Sequence, residues 1–203
     1  MRETLLPRLT LHQQHGADPR SYFSTPVDDV WLEVGFGAGE HLLWQAQANP
    51  QVGLIGVEPY EGGTAKLLSK LEETPAENTR IHEGDAREIV EALPDASIDR
   101  VFILFPDPWP KTRHHKRRFI QMEMLDRLAR VMKPEAELRF ATDDKTYLVW
   151  ALERLVAHRG FEWIAESMTD WTSRPAGWPQ TRYEAKAIKG PPAFLRFRRS
   201  GKD

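Results

Sequence analysis

From Val27 onward, short apolar runs alternate with stretches of helical character, and this alternation restricts the fold more than any other feature. The runs are DVWLEVG, GLIGVEP, TRIHEGDA, IDRVFILF, AELRFATD, FEWIAES and AFLRFRR. These runs read as strands, and the first, an apolar run closed by glycine, as one buried on both faces. Between them lie EHLLWQAQANP, the span from Gly63 to Glu73, REIVEALP, RRFIQMEMLDRLARVM and TYLVWALERLVAHRG. Asn49-Pro50 stops the first of these helices, and glycine ends the last. In RRFIQMEMLDRLARVM, residues Phe119, Met122, Leu125, Leu128, Ala129 and Met132 share one face, which predicts a single long helix. Such regular alternation builds a mostly parallel sheet with helices on both faces, a Rossmann-like α/β fold.

A chain of 203 residues suits one well-buried domain. Residues 1–26 lack periodicity and carry Pro7, Gly16, Pro19 and Pro26, so they read as an arm with one short helix, and 27–203 as the domain. There is no cysteine, which excludes disulfides and thiolate zinc sites and fits a reducing compartment. No apolar run approaches a membrane span, and the N-terminal residues carry no signal-peptide core. A cytoplasmic protein is the expectation. The net charge of −2 rules out a generally basic nucleic-acid binder, so any such role must rest on a local patch.

Open parallel sheets bind ligands beyond the carboxyl ends of their strands, at the switch in strand order. Acids stand at or just past several of those ends: Glu33, Glu58, Asp85, Asp107 and Asp143. The first strand closes on Glu33-Val34-Gly35-Phe36-Gly37-Ala38-Gly39, where glycine allows a tight turn and close backbone approach. A dinucleotide fingerprint would place glycine at position 40, and the chain has Glu40. An acid two residues before Gly35 suits a ligand bearing an ammonium group better than a pyrophosphate. S-adenosylmethionine carries such an ammonium and a cationic sulfonium. Glu58 can accept from ribose hydroxyls, and Asp85 from an adenine amino group. Singly, each acid reads as readily as a solvated strand end or a helix N-cap. Three in order favour a nucleoside cofactor.

FPDPWPKTRHHKRRF, residues 105–119, follows the fourth strand. Pro106 and Pro108 stiffen the backbone on both sides of Asp107, which lowers the entropy cost of aiming its carboxylate. Phe105 and Trp109 offer apolar walls. Arg113, His114, His115, Lys116, Arg117 and Arg118 then form a basic cluster at the start of the expected helix. Positive charge is unfavourable there unless anions are near, and phosphates would satisfy it with help from the helix amides. No carboxylate stands at metal-ligand spacing from the two histidines, so no metal is expected.

EVGFGAGE, FPDPWPKTRHHKRRF, FATDD and TRYE together resemble the bacterial tRNA (guanine-N7)-methyltransferase family, from about Val30 to the C-terminus. The proline-acid-proline-Trp loop followed by Lys and RHxKRR is the most specific of these. The resemblance implies a seven-stranded class I methyltransferase sheet with an antiparallel last strand. It implies methyl transfer from S-adenosylmethionine to N7 of a guanine in the variable loop of tRNA. Glu33, Gly35, Gly37, Glu58, Asp85 and Ala86 would bind the cofactor, and Asp107 would be catalytic. Lys111, Asp143 and the Thr181-Arg182-Tyr183-Glu184 element would contact the substrate, and Arg113 to Arg118 would engage RNA. Expected partners are tRNA alone, with no membrane, metal or obligatory protein partner, the chain acting as monomer or homodimer. Family members often carry an arginine-rich segment before the residues matching LLPRLTL, and Phe is common where this chain has Tyr183.

Three other readings share features of the chain. An NAD(P) dehydrogenase shares the architecture, but Glu40 argues against it. An adenine N6-methyltransferase has a proline loop after the fourth strand, normally with two prolines directly before an aromatic. A non-catalytic RNA-binding module would explain the basic cluster and leave the ordered strand-end acids without purpose.

Overall fold

The structure, a computed structural model, describes residues 2–201 apart from Gln13, Arg182, Tyr183 and 186–188. Its strands are β1 (Asp29–Val34), β2 (Val52–Val57), β3 (Thr79–His82), β4 (Ile98–Leu104), β5 (Met132–Thr142), β6 (Phe161–Trp163) and β7 (Ala193–Arg199). They form one sheet in the order β3-β2-β1-β4-β5-β7-β6. β7 runs antiparallel to both of its neighbours, and the other pairings are parallel. The order reverses between β1 and β4. The chain steps outward to β2 and β3, then returns to add β4 on the other side of β1. The loops leaving β1 and β4 therefore diverge and open a crevice at their carboxyl ends.

The helices are α1 (Arg2–Leu9), α2 (Glu40–Ala48), α3 (Glu61–Glu73), α4 (Ala86–Ala92), α5 (Met122–Val131), α6 (Lys145–Ala157) and the single turn α7 (Thr169–Thr172). Alternate residues of each strand enter two separate cores. Val30, Leu32, Val101 and Ile103 face α4, α5 and α6. Trp31, Leu54 and Phe102 face Leu42 of α2 and Leu67, Leu68 and Leu71 of α3. This is why the strands read as continuous apolar runs rather than alternating ones. The N-terminal arm contains the expected short helix. It also packs inward: Leu9, Leu11 and Phe23 are buried, and Thr10 bridges to Ile81 beside β3. Among the described residues no helix is long and apolar enough to cross a membrane.

The long helix expected over RRFIQMEMLDRLARVM is corrected at both ends. Thr112–Arg117 forms 3-10 turns, Arg118 is extended (φ −56°, ψ 137°), and α5 begins only at Met122. The backbone between is claimed by side chains of α6. The Ile120 N–H donates to the Tyr147 hydroxyl at 3.2 Å, and Trp150 Nε1 donates to the Ile120 carbonyl at 2.7 Å. Those bonds replace the helical ladder, so helical periodicity at Phe119 is overridden by tertiary partners. At the other end, Met132 leaves the helix (ψ 136°) and opens β5, paired with Ile98. The basic cluster is thus not at the start of an α-helix, and no α-helix amides back it.

Candidate active site

The crevice between the β1 and β4 loops holds a cavity of about 590 Å³, within the usual span of about 300–1,000 Å³ for small-molecule sites. Its floor is the glycine turn. Gly35, Gly37 and Gly39 all have positive φ (73°, 57° and 74°), where residues with a Cβ are strained. A Cβ on Gly35 would meet no atom within 4 Å, so conformation alone demands glycine there. Gly63 of α3 differs: a Cβ would lie 2.4 Å from the Gly37 carbonyl. That glycine lets α3 close against the turn, a role the helical pattern did not reveal.

Glu33, Gly35, Gly37, Glu58, Asp85 and Ala86 all line this cavity. Glu33 is 2% exposed, so its carboxylate must be satisfied internally. A polar ladder along α2 does this. Asn49 Nδ2 donates to Gln45 Oε1 at 3.1 Å, which orients the Gln45 amide so that its Nε2 donates to His41 Nε2 at 3.1 Å. The remaining ring proton, on His41 Nδ1, then donates to Glu33 Oε2 at 2.7 Å. Sequence reasoning missed this support. Its signal was present, since His41, Gln45 and Asn49 recur at a spacing of four on one helix face. Glu58 accepts from two backbone N–H groups, Gly37 at 2.8 Å and Tyr60 at 2.9 Å. It therefore fixes the glycine turn, and it also lines the cavity. Asp85 caps α4, accepting from the Arg87 N–H at 2.9 Å, and pairs with the Arg87 guanidinium at 3.0 Å. The plain N-cap role is thus real, and it coexists with a place in the cavity wall.

Across the crevice, Asp107 is exposed and lines the same cavity with Phe105, Pro106 and Trp109. Phe105 (φ 52°) and Trp109 (φ 43°) both adopt the left-handed region, which bulky residues rarely tolerate. The turn carrying Asp107 is therefore strained on both sides of its prolines. It is held by the Phe105 N–H donating to the Ala141 carbonyl at 2.8 Å and by Arg118 Nε donating to the Pro108 carbonyl at 2.8 Å.

The basic cluster divides into two. Lys111, Arg113, Lys116 and Arg117 are exposed. Arg117 reaches the cavity wall, its guanidinium 4.8 Å from the Trp109 ring centre, while half-buried His114 meets the edge of the same ring. His115 and Arg118 turn inward. His115 packs on Trp150, and its Nε2 is buried. Arg118 is 1% exposed and donates to Pro108 and to Thr146. The expectation that Arg118 meets RNA is thereby corrected, because its guanidinium is spent inside the protein.

The segment before β7 closes the other side. Thr181 lines the cavity, and its hydroxyl accepts from the Glu184 N–H at 3.3 Å. Glu184 pairs with Arg174 at 3.4 Å. Burial pushes its carboxyl above the ordinary glutamate value, and Arg174 only partly offsets this. Arg182 and Tyr183 lie outside the described residues. Trp178 anchors the segment, its ring 4.5 Å from that of His41 and 5.3 Å from the Arg139 guanidinium. No periodicity in the sequence marks it. Half-buried Asp143 ends the β5 loop and lies outside the cavity lining, as do Lys111, Arg113, His114, His115, Lys116 and Glu184. Its neighbour Asp144 caps α6 through the Tyr147 N–H at 2.9 Å and pairs with Lys189 at 2.8 Å. Burial alone would raise the Asp144 carboxyl, but Lys189, Thr146 and that N–H outweigh it and bring it down to about 2. Among the described residues no group of three or more metal-ligating side chains converges.

Five carboxylates line this one cavity, those of Glu33, Glu40, Glu58, Asp85 and Asp107, with Glu40 paired to Lys70 at 3.1 Å. That donor set suits a nucleoside bearing positive charge and would repel a pyrophosphate. A family model described as "Putative methyltransferase" matches residues 28–194. Over 97% of its length the chain is 50% identical to the tRNA (guanine-N(7)-)-methyltransferase of Rhodospirillum rubrum, of which it covers 80%. The chain belongs to the tRNA (guanine-N(7)-)-methyltransferase family. Solved structures of RNA methyltransferases share the fold at low identity. The 16S rRNA methyltransferase KamB is 18% identical with a TM-score of 0.59, over 95% of this chain and 99% of that one. A 16S rRNA (adenine(1408)-N(1))-methyltransferase variant solved with its cosubstrate SAM is 18% identical with a TM-score of 0.54, over 87% of this chain and 88% of that one. In a methyltransferase of this family, the cavity holds the strand-end acids on one wall and the proline loop with Arg117 on the other.

Proposed function

We propose that the protein transfers the methyl group of S-adenosylmethionine to N7 of a guanine in the variable loop of tRNA. One observation carries this reading: the strand-end acids Glu33, Glu58 and Asp85 share a single cavity with Asp107 and Arg117. Methyl donor and base would thus meet where a carboxylate and a cation already converge. When bound, S-adenosylmethionine supplies the methyl group from a sulfonium centre. Glu33 would hold the ammonium, Glu58 the ribose hydroxyls, and Asp85 the adenine amino group, with Gly35 and Gly37 letting the backbone come close.

Guanine N7 has an in-plane lone pair and no proton, so no residue need act as a base before attack. The work left to the protein is alignment, exclusion of water and handling of charge. Alignment alone can lower a barrier by up to about 7–11 kcal/mol in favourable cases. Positive charge develops on the purine during transfer, and Asp107 or Glu184 would stabilise it. A carboxylate also complements the guanine N1–H and N2–H₂ donors, an edge adenine lacks. The base must leave its stack to enter the cavity. Arg117, with Lys111, Arg113 and Lys116 exposed beside it, would grip phosphates and deliver it.

The test is transfer of labelled methyl to unmodified tRNA, followed by mapping of the product base. Label at N7 of a variable-loop guanine is expected. Label in adenine, or none in tRNA, would overturn the reading.

A further inference from the structure

Arg118 sits within a basic run yet is among the most buried side chains of the protein, 1% exposed. Its guanidinium lies against the rings of Tyr147 and Trp150, each 5.0 Å from ring centre. Every donor that reaches a partner reaches one that shapes the site. Nε donates to the Pro108 carbonyl at 2.8 Å, directly after Asp107. Nη2 donates to Thr146 Oγ1 at 3.0 Å, and that hydroxyl donates to Asp144 Oδ1 at 2.6 Å. The other Asp144 oxygen accepts from Lys189 Nζ at 2.8 Å.

The chain of bonds Pro108–Arg118–Thr146–Asp144–Lys189 therefore joins three separate segments. These are the strained turn carrying Asp107, the start of α6 just after Asp143, and the stretch that follows Thr181 and Glu184. Phe105 and Trp109 hold φ values that a free turn would relax, so some outside contact must over-determine the turn. Arg118 is the polar contact made at its Pro108 end. Arg118 and Asp144 are buried while Lys189 at the end is exposed, and in such a network each buried member orients the next.

We propose that Arg118 is a positioning residue for methyl transfer, not a contact to RNA. It sets the carboxylate of Asp107 against the reacting base and, through Thr146 and Asp144, keeps the Lys189 segment in register with it. The proposal rests on the methyltransferase reading above. Lysine cannot replace Arg118, because one ammonium on a flexible stem does not reproduce a planar fork aimed at the Pro108 carbonyl and at the Thr146 carbonyl and hydroxyl.

The experiment measures labelled methyl transfer at saturating S-adenosylmethionine and tRNA for R118K, T146V, K189M and the double variant R118K/K189M. Cofactor and tRNA affinities are taken in parallel. In R118K, kcat is expected to fall about ten- to a hundredfold, as misplacement of a reacting group by about 1 Å can cost. Both affinities should stay within about twofold of wild type, since neither binding surface is touched. T146V and K189M, cut further along the chain, should lower kcat in the same way by a smaller factor. The double variant should lose no more than R118K alone, although residues 118 and 189 are not bonded to each other. A wild-type kcat with weakened, less salt-dependent tRNA binding would make Arg118 a phosphate contact and overturn the proposal. So would losses that multiply in the double variant, which would mark two unrelated packing defects. T146V, isosteric and distant from the Pro108 carbonyl, decides the matter if R118K does not fold. Absence of transfer by the wild-type protein would overturn the function and this inference with it, whereas an active wild type whose kcat is unchanged in R118K and T146V overturns the inference alone.

Discussion

Glu33→Gln should separate stability from binding. The glutamate is 2% exposed and accepts a hydrogen bond from His41 Nδ1–H, 2.7 Å away. A glutamine amide oxygen in the same place still accepts that proton. What disappears is charge assistance, which is worth about 1 kcal/mol beyond a neutral hydrogen bond. What is also removed is the cost of burying a carboxylate, which even after relaxation amounts to several kcal/mol. The variant should therefore melt at the wild-type temperature or above it. Binding of a cationic ligand has no such compensation. A unit charge facing an ammonium at about 4 Å in a surface cleft contributes roughly 4 kcal/mol, or about a thousandfold in affinity at 1.4 kcal/mol per decade. S-adenosylmethionine should bind about 10²–10³-fold more weakly to Glu33→Gln by calorimetry. His41→Phe is the complement. It keeps a ring against Phe102 and Trp178 but leaves the buried carboxylate without its donor, at about 1.5–3 kcal/mol. For a chain of this size that is a fall of about 3–12 °C in melting temperature. A Glu33→Gln protein that binds cofactor like wild type, or that melts as low as His41→Phe, would refute the assignment of Glu33 to a bound cation.

Asp107→Ala should abolish transfer while calorimetric cofactor affinity largely survives; joint loss of both would reassign Asp107 to cofactor binding. Arg117→Ala should weaken tRNA binding and reduce the slope of log K against log salt by about 1. An unchanged slope would mean that Arg117 is merely solvated where it stacks on Trp109. Burial raises the Glu184 carboxyl above the ordinary value of 4.5, so its ionised form is the disfavoured one in the folded state. Stability linked to it is present below the unfolded value and lost as pH rises through the folded one. If ionised Glu184 stabilises the methylated purine, kcat/KM should fall on the acid side with a midpoint above 4.5. Glu184→Gln should lower the rate and erase that limb, and a limb that persists in the variant would assign it elsewhere.

The strand-end acids were readable without coordinates because the rule that locates them is topological. In a parallel sheet every strand ends on the same edge, so acids far apart in sequence converge once the alternation is recognised. Glu33, Glu58, Asp85 and Asp107 meet in one cavity for that reason. The glycine turn was equally legible, since positive φ is a local demand that falls on Gly35, Gly37 and Gly39.

The basic run was different. Charge is a property of each residue, but the direction in which a charge points depends on what packs beneath it. Arg117 and Arg118 are neighbours of identical chemistry. One faces solvent beside Trp109, and the other is drawn inward by Trp150, Tyr147, Thr146 and the Pro108 carbonyl. The same α6 side chains took the backbone of Ile120 and so ended a helix that periodicity alone would have carried through it. Local pattern thus determined the sheet, its order of elements and the acids at its edge. Only the docking of α6 decided which cations stay exposed and which hold the loop carrying Asp107, because that choice is made by partners distant in sequence and adjacent only in the folded protein.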